Sequence, residues 1–274
     1  MKRLLRNRLV FTGSGILMLL MVLVMLGPIL VSSDPFEMNP LHRLEPPNSA
    51  YPLGTDYLGR CLLSRLLVAG RISLGTSVWV AAVILFSGLT VGLAAGLAGG
   101  RIEEIIMRMV DIFLALPSLV LTLAVIGVLG PSLESAIAGI CISWWPVYAR
   151  LVRGMTLTAM AKPWVQAARI SGTRGMRLII RYILPQLAPP LLVLASLEMG
   201  TMILVFSGLS FLGLGAQAPT PEWGAMLNDA RHFMQTTPHM MLAPGLAIFL
   251  SVLGFNLLGE GLRDALNVRE MTEF

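Results

Sequence analysis

Two carboxylates fall within stretches of the sequence that are otherwise almost free of charge. Asp111 and Glu198 each lie in an apolar segment long enough to reach across much of a bilayer. An ionised side chain at the centre of a spanning helix costs roughly 2.5–3.5 kcal/mol, so it usually faces a cavity or a charged partner. We therefore expect Glu198 and Asp111 to face a translocation path. The alternative for Glu198 is a hydrogen-bonded structural carboxyl. The alternative for Asp111 is a local ion pair with Arg108, which precedes it by one turn.

Residue patterns for bond-making chemistry are missing from the sequence. A P-loop needs a lysine directly after glycine to reach the phosphates, yet neither Lys2 nor Lys162 follows a glycine. The sequence has no HExxH motif, and Cys61 and Cys141 form no CxxC pair and predict no disulfide. We expect no catalytic residues, no metal site and no cofactor in this chain.

The composition indicates that the chain is dissolved in a bilayer. Of its 274 residues, 55% are hydrophobic and 13% are charged, and the mean hydropathy is +0.78. An ordinary soluble domain has about 25% charged residues. These values exclude a soluble enzyme, a disordered regulator and a secreted disulfide scaffold. The net charge of +5 does not predict nucleic-acid binding, because the basic residues are distributed by membrane side.

The gaps between charged residues predict an all-α integral membrane protein. A spanning helix needs about 20 apolar residues, and the first gap, from Leu9 to Ser33, has 25. We interpret this segment as an uncleaved anchor, because a signal peptide has a shorter apolar run of about 7–15 residues followed by an A-x-A site. In total, six transmembrane helices are predicted near residues 9–31, 73–98, 107–129, 135–153, 186–207 and 240–261.

The basic residues indicate the orientation of these helices. With the N and C termini both cytoplasmic, 15 of the 20 lysines and arginines fall in cytoplasmic segments and five in outer ones. This distribution is the one that the positive-inside rule requires. We divide the chain into residues 1–71, an N-terminal anchor helix with a periplasmic loop, and residues 72–274. The second part is a core of five transmembrane helices with a cytoplasmic loop at 161–185.

Two features of the predicted helices concern packing. Leucines three and four residues apart predict an amphipathic helix over residues 57–70, lying at the outer membrane interface. Gly88, Gly92 and Gly96 are each four residues apart, so the second span has a face without side chains. Small residues allow close approach of helix backbones in lipid. We expect this face to pack tightly on another helix.

The loop at 161–185 has the most informative local pattern. Pro163 suits the first turn of a helix predicted over 164–171, and Gly172 suits the turn that ends it. Thr173 can then cap a second helix. The loop is therefore predicted to be a rigid, basic elbow of two short helices, in which Gly172 permits the reversal of direction.

This loop resembles the EAA loop of ABC importer permeases. The family pattern is E-A-A, three residues, G, nine residues, I, one residue and L-P, and the spacing from Gln166 to Pro185 matches throughout. Gln166 replaces the glutamate and Tyr182 replaces the isoleucine, which weakens docking by charge and keeps the helix–glycine–helix shape. The resemblance implies that seven residues couple the chain to an ATPase: Trp164, Gln166, Ala167, Ala168, Gly172, Leu184 and Pro185.

Two outer segments extend the resemblance over nearly the whole chain. Residues 51–71 are similar to the HPLGTDxLGRD-x2-SRL signature of the dipeptide, oligopeptide and nickel branch, with Tyr51 in place of His and Cys61 in place of the last Asp. Residues 210–231 are similar to the last outer loop of that branch. The chain is thereby identified as a C-type subunit, with the closest resemblance to nickel or metal-chelate permeases.

The resemblance implies an ABC importer type I permease fold in the bacterial inner membrane. Expected partners are a second permease subunit in a heterodimer, two ATP-binding subunits that hold ATP and Mg²⁺, a periplasmic or lipid-anchored solute-binding protein and membrane lipid, but no nucleic acid. Closure of the motor would move the 161–185 elbow and drive alternating access. Nickel, metal-chelator complexes and short peptides all remain possible substrates. The alternative is a proton-coupled secondary carrier that uses Glu198 and Asp111.

Overall fold

The structure, a computed structural model, describes residues 7–31 and 33–266. Five helices have the length and apolar character of membrane spans: α1 (Arg8–Leu30), α2 (Leu62–Ala98), α5 (Leu133–Ala161), α7 (Gly175–Phe211) and α9 (His239–Ala265). A sixth candidate span is the bent pair α3 (Gly100–Leu114) and α4 (Ser118–Leu129). The prediction of an all-α membrane fold is confirmed. Four residues used for the predicted orientation lie outside the described residues: Lys2, Arg3, Arg6 and Arg269.

Two shorter helices complete the bundle, α6 (Pro163–Ile170) and α8 (Trp223–Ala230). Helix α6 lies at the end of the bundle that carries residues 161–175, which we call the elbow end. The opposite end, which we call the loop end, consists of residues 33–61 and 212–238. These two segments are in contact, since Arg60 forms an ion pair with Asp229 of α8.

The second span starts earlier than predicted, at Leu62 rather than near residue 73. The separate interfacial helix predicted over 57–70 is wrong, because residues 62–70 are the first turns of α2. Leu62 and Leu67 are buried against the rest of the chain, so protein contacts rather than a membrane surface explain the leucine spacing. The predicted boundary between residues 71 and 72 therefore lies inside a continuous helix.

The third predicted span is not one straight helix. Helix α3 begins at Gly100 instead of residue 107, and the chain breaks at 115–117 before α4, with 78° between the two helices. Pro117 explains the break, because proline has no backbone N–H and disfavours helical geometry in the residue before it. Apolar composition alone gave no signal for this bend.

Both helices around the elbow are longer than predicted. Helix α5 continues to Ala161 rather than ending near residue 153, and α7 starts at Gly175 rather than near residue 186, with a π-helical turn at Ile179–Ile183. The second short helix of the elbow is thus the first part of the next span. Thr173 does not cap it, because Arg174 occupies the N-cap position.

The glycine face of α2 packs directly on α5. A Cβ atom added at Gly92 would lie 2.5 Å from the backbone oxygen of Ala149, and one at Gly96 would lie 2.8 Å from Thr156. At Gly88 it would collide with Tyr148. The two backbones are therefore as close as glycine allows along this face.

A second close helix pair, α1 with α9, joins the two ends of the described chain. The sequence did not predict this contact. A Cβ atom added at Gly13 of α1 would lie 2.7 Å from the backbone nitrogen of Leu258 in α9. One at Gly261 of α9 would lie 2.6 Å from the nitrogen of Val10. The anchor helix is thus part of the packed bundle.

Candidate coupling surface and translocation site

Helix α6 is held against the bundle by one face and exposes the other. Val165 is fully buried and Ala168 is 8% exposed, and Val165 packs in a cluster with residues of α5 and α7, among them Leu187. Away from this buried face the side chains of Trp164 and Ile170 are 53% and 89% exposed. Two large apolar side chains at a solvent-exposed elbow are typical of the anchors of a protein interface.

The remaining elbow residues divide between the exposed surface and its support. Gln166 and Ala167 are exposed, and the Gln166 side-chain amide donates to the Ala161 carbonyl at 3.3 Å. Gly172 has a φ of +86°, a conformation that glycine adopts without steric cost. Leu184 is half-buried and Pro185 is exposed where α7 leaves its π-helical turn. Both therefore lie in the span that receives the elbow rather than at its tip.

Glu198 lies on α7 and is 6% exposed within the chain. It interacts with Tyr148 of α5, and its Oε1 atom has no hydrogen-bond partner among the described residues. An unpartnered buried polar atom costs free energy, roughly 1–3 kcal/mol. The carboxyl therefore retains an acceptor atom that the described residues do not use.

Asp111 is not paired with Arg108, so that prediction is wrong. It forms an ion pair with Arg150 of α5, and both side chains are about half exposed. Arg108 instead pairs with Glu104 one turn earlier, at 3.5 Å. The side chain of Asp111 reaches across to α5 because α3 lies beside that helix. Its charge is therefore compensated between helices and partly open to the surroundings.

A second ion pair connects the same two helices. Arg153 of α5 pairs with Glu103 near the start of α3. Glu103 is the less exposed of the two side chains. Together with the Asp111 pair, this contact links α3 and α5 towards the elbow end of the bundle.

At the loop end, a fully buried carboxylate fixes α8 between two spans. Glu222 accepts a hydrogen bond from the hydroxyl of Ser73 at 2.8 Å and one from the backbone N–H of Ala225 at 3.0 Å. The second bond caps the start of α8. Its neighbour Trp223 is also buried, and the indole N–H donates to the carbonyl of Leu66 at 3.0 Å.

The other side of α8 is fixed to α7. A Cβ atom at Gly224 would collide with the backbone carbonyl of Ser207, so α8 touches the backbone of that span. The turn at Gly213, which has a φ of +79°, precedes this helix in the chain. Helix α8 therefore contacts both α2 and α7 closely.

Beside this helix lies a network of buried charges. Arg60 donates to Asp56 at 2.6 Å, and Arg65 lies 3.6 Å from the same carboxylate. All three side chains are under 5% exposed. Burying an isolated ion is costly, and pairing with further hydrogen bonds offsets that cost. Asp56 meets the condition, because its carboxylate also accepts the backbone N–H of Leu58 at 2.9 Å.

Asp229 is the incompletely compensated member of this network. Its carboxylate lies 3.7 Å from Arg60, longer than a hydrogen bond, and its side chain is 36% exposed. Burial raises the pKa of Asp229 although Arg60 and Arg65 lower it. The carboxylate borders a cavity of about 420 Å³ that is lined by six residues: Tyr57, Asn228, Asp229, Arg231, His232 and Phe233.

Two family models match this chain, one over most of its length and one at its start. The family model described as "Binding-protein-dependent transport system inner membrane component" matches residues 88–270. A second model, "N-terminal TM domain of oligopeptide transport permease C", matches residues 1–47.

The matches with curated relatives cover most of this chain and most of each relative. The dipeptide transport system permease protein DppC of Alkalihalophilus pseudofirmus is 42% identical over 266 residues, which are 97% of this chain and 88% of the relative. The nickel transport system permease protein NikC of Escherichia coli (strain K12) is 43% identical over 240 residues, 88% of this chain and 87% of the relative.

Among solved structures, the MetNI methionine ABC transporter in an inward-facing conformation has a similar fold. Its matching chain has a TM-score of 0.52 and 18% sequence identity, and the match covers 70% of this chain and 94% of that one. This match supports the fold alone.

Proposed function

The chain belongs to the family of binding-protein-dependent transport system inner membrane components, and from that membership we propose that a partner ATPase drives it through alternating access. It is an ABC importer permease of the dipeptide, oligopeptide and nickel branch. As such it is a transport component and not itself an enzyme. Under this proposal, ATP and Mg²⁺ bind in the partner subunits.

The observation that carries the proposal is the construction of the elbow. Helix α6 joins α5, which ends at Ala161, to α7, which starts at Gly175. Its buried face ties it to both spans through Val165, so a displacement of α6 is transmitted directly to them. Its exposed face offers Trp164 and Ile170 to a partner. A motor that pulls on this face therefore moves two spans at once.

The remaining partners follow from the same proposal. A second permease subunit completes the path as a heterodimer, and a periplasmic or lipid-anchored binding protein delivers the solute. The elbow end then faces the cytoplasm of a bacterial cell and the loop end faces outwards. Short peptides and nickel are both substrates in the names of relatives, and the family likeness does not choose between them.

The experiment is a co-purification from membranes. The full chain should retain its ATP-hydrolysing partner, and a variant that lacks residues 163–172 should insert in the membrane without that partner. Retention of the partner by the deletion variant would contradict the proposal.

One observation favours a second function, a proton-coupled carrier: the unpartnered Oε1 of Glu198 in a buried position. Replacing Glu198 by glutamine keeps the shape and removes the ionisable group. Under the ATP-driven proposal, we expect the variant to show roughly tenfold lower uptake that still requires ATP. The loss of one charge interaction of about 1.4 kcal/mol corresponds to a factor of ten. Uptake by membrane vesicles measures this, with ATP or a proton gradient supplied separately.

Glu134→Gln is the matched control, because Glu134 is exposed in the first turn of α5. Its uptake should equal that of the unchanged chain. Uptake by Glu198→Gln that equals the control would remove Glu198 from the path. Uptake driven by a proton gradient without ATP, and abolished by Glu198→Gln, would establish the carrier instead.

A further inference from the structure

The cavity at the loop end brings opposite charges together with two aromatic rings. The rings of Tyr57 and Phe233 are stacked, with centroids 6.0 Å apart and planes at 11°. Asp229 supplies a carboxylate and Arg231 a guanidinium on the same lining. The cavity is a depression that is widely open to the surroundings, and its volume of about 420 Å³ is within the roughly 300–1,000 Å³ range of small-molecule sites.

The carboxylate of Asp229 has capacity left for a cation. Within the described part of the chain it accepts no hydrogen bond, and the ion pair with Arg60 at 3.7 Å is its charged contact. A carboxylate has room for about four hydrogen bonds. A protonated amino group in the cavity would supply the short, charge-assisted bonds that Arg60 does not make.

The positive side of the cavity is fixed by an arginine–histidine contact. Arg231 donates from Nε to Nε2 of His232 at 3.0 Å. This bond uses the Nε side of the guanidinium and leaves its two NH₂ groups, and both side chains are exposed. Two terminal NH₂ groups of one guanidinium match the two oxygens of a carboxylate.

The same contact argues against a bare metal ion. Nε2 of His232 already accepts a hydrogen bond from the Arg231 guanidinium, so its lone pair faces a positive charge. A divalent cation near Asp229 would also meet Arg60. Among the residues that the structure describes, no group of three His, Cys, Asp or Glu side chains could hold a metal ion.

We propose that this cavity binds a short peptide with free termini, the ammonium on Asp229, the carboxylate on Arg231 and an apolar side chain against the Tyr57–Phe233 stack. The inference rests on the proposed transport function and names peptides, rather than nickel, as the substrate class. A site at the loop end would receive the peptide on the side opposite the ATPase elbow.

The test is a calorimetric titration of the assembled importer in lipid nanodiscs, without the binding protein. The probes are the dipeptide alanyl-phenylalanine, its N-acetylated amide and free Ni²⁺. We expect the dipeptide to bind, the blocked peptide to bind at least tenfold more weakly, and Ni²⁺ to give no heat that depends on Asp229.

Asp229→Asn and Arg231→Gln should each weaken dipeptide binding by about tenfold or more, because each removes one charge-assisted contact. Arg231 is exposed, so its replacement does not threaten folding. Glu37→Gln is the control, since Glu37 is an exposed carboxylate at the same end but outside the cavity lining. It should bind the dipeptide as the unchanged chain does.

Three results would overturn the inference: equal binding of free and blocked peptide, unchanged dipeptide binding by both cavity variants, or Ni²⁺ binding lost in Asp229→Asn. If those variants instead lose affinity for the binding protein alone, the cavity is a docking surface and the inference is wrong. ATP-driven uptake by the unchanged importer is measured separately. Absence of ATP-driven uptake would refute the proposed function. ATP-driven uptake by an importer whose cavity does not bind peptides would refute only this inference.

Discussion

Replacing Ile170 by aspartate is expected to detach the chain from its ATP-hydrolysing partner while the chain remains folded in the membrane. Ile170 is 89% exposed at the end of α6, so a carboxylate there does not disturb the bundle. In a partner's cleft the same carboxylate would be desolvated without a counter-ion. Loss of a central interface anchor costs 2 kcal/mol or more, which is roughly a 30-fold loss of affinity. Affinity for the purified ATPase, with ATP-driven uptake, measures the effect.

Leu41→Asp is the control for this variant. Leu41 is 91% exposed and belongs to a short 3₁₀ turn at the loop end, so it introduces the same charge on a similarly exposed site away from the elbow. It should keep both ATPase binding and uptake. Equal binding of the ATPase by Ile170→Asp and Leu41→Asp would show that the elbow is not the docking surface.

Replacing Gly92 by alanine is expected to destabilise the bundle although alanine favours helices. The new Cβ would lie 2.5 Å from the Ala149 backbone oxygen and 2.7 Å from the Cβ of Val152. The backbone of α5 cannot yield as a flexible side chain would, so α2 and α5 must separate. Overpacking of this kind costs roughly 1–3 kcal/mol. Cys61 is a buried free thiol. With the other free cysteine, the partly buried Cys141, replaced by serine, the reaction of Cys61 with a thiol-specific dye during heating reports unfolding.

Gly75→Ala in the same helix is the matched control. Gly75 is exposed and a Cβ atom there has nothing within 4 Å. The higher helix propensity of alanine is then the only effect of the change, and it stabilises the folded protein by roughly 0.5–1 kcal/mol. The two alanine variants should therefore shift the temperature of dye reaction in opposite directions. A shift of the same sign for both would contradict close packing of α2 on α5.

The sequence was sufficient for the all-α membrane fold and for the glycine turn at Gly172, because each rests on local signals. Long uncharged gaps require helices in lipid, since every backbone polar group must be satisfied there. The glycine at 172 has the positive φ that its place after α6 demanded. The ends of the helices were predicted less accurately. Helix α2 begins at Leu62, earlier than predicted, and leucines of its first turns are buried against the rest of the chain.

Contacts between distant parts of the chain could not be read from the sequence. Ser73 and Glu222 are 149 residues apart and become hydrogen-bonded only when α8 inserts beside α2. Asp111 reaches Arg150 rather than Arg108 because α3 runs along α5. Local spacing favours the nearest opposite charge, whereas the bend at Pro117 decides which helix lies within reach.

We propose that this chain is a passive gate moved by a separate motor, and reconstitution into proteoliposomes distinguishes it from a carrier that works alone. Solute accumulation is followed for the chain alone and for the chain with its second permease subunit, ATPases and binding protein. We expect accumulation against a gradient only in the complete assembly with ATP. Uphill transport by the chain alone, with or without a proton gradient, would contradict the claim.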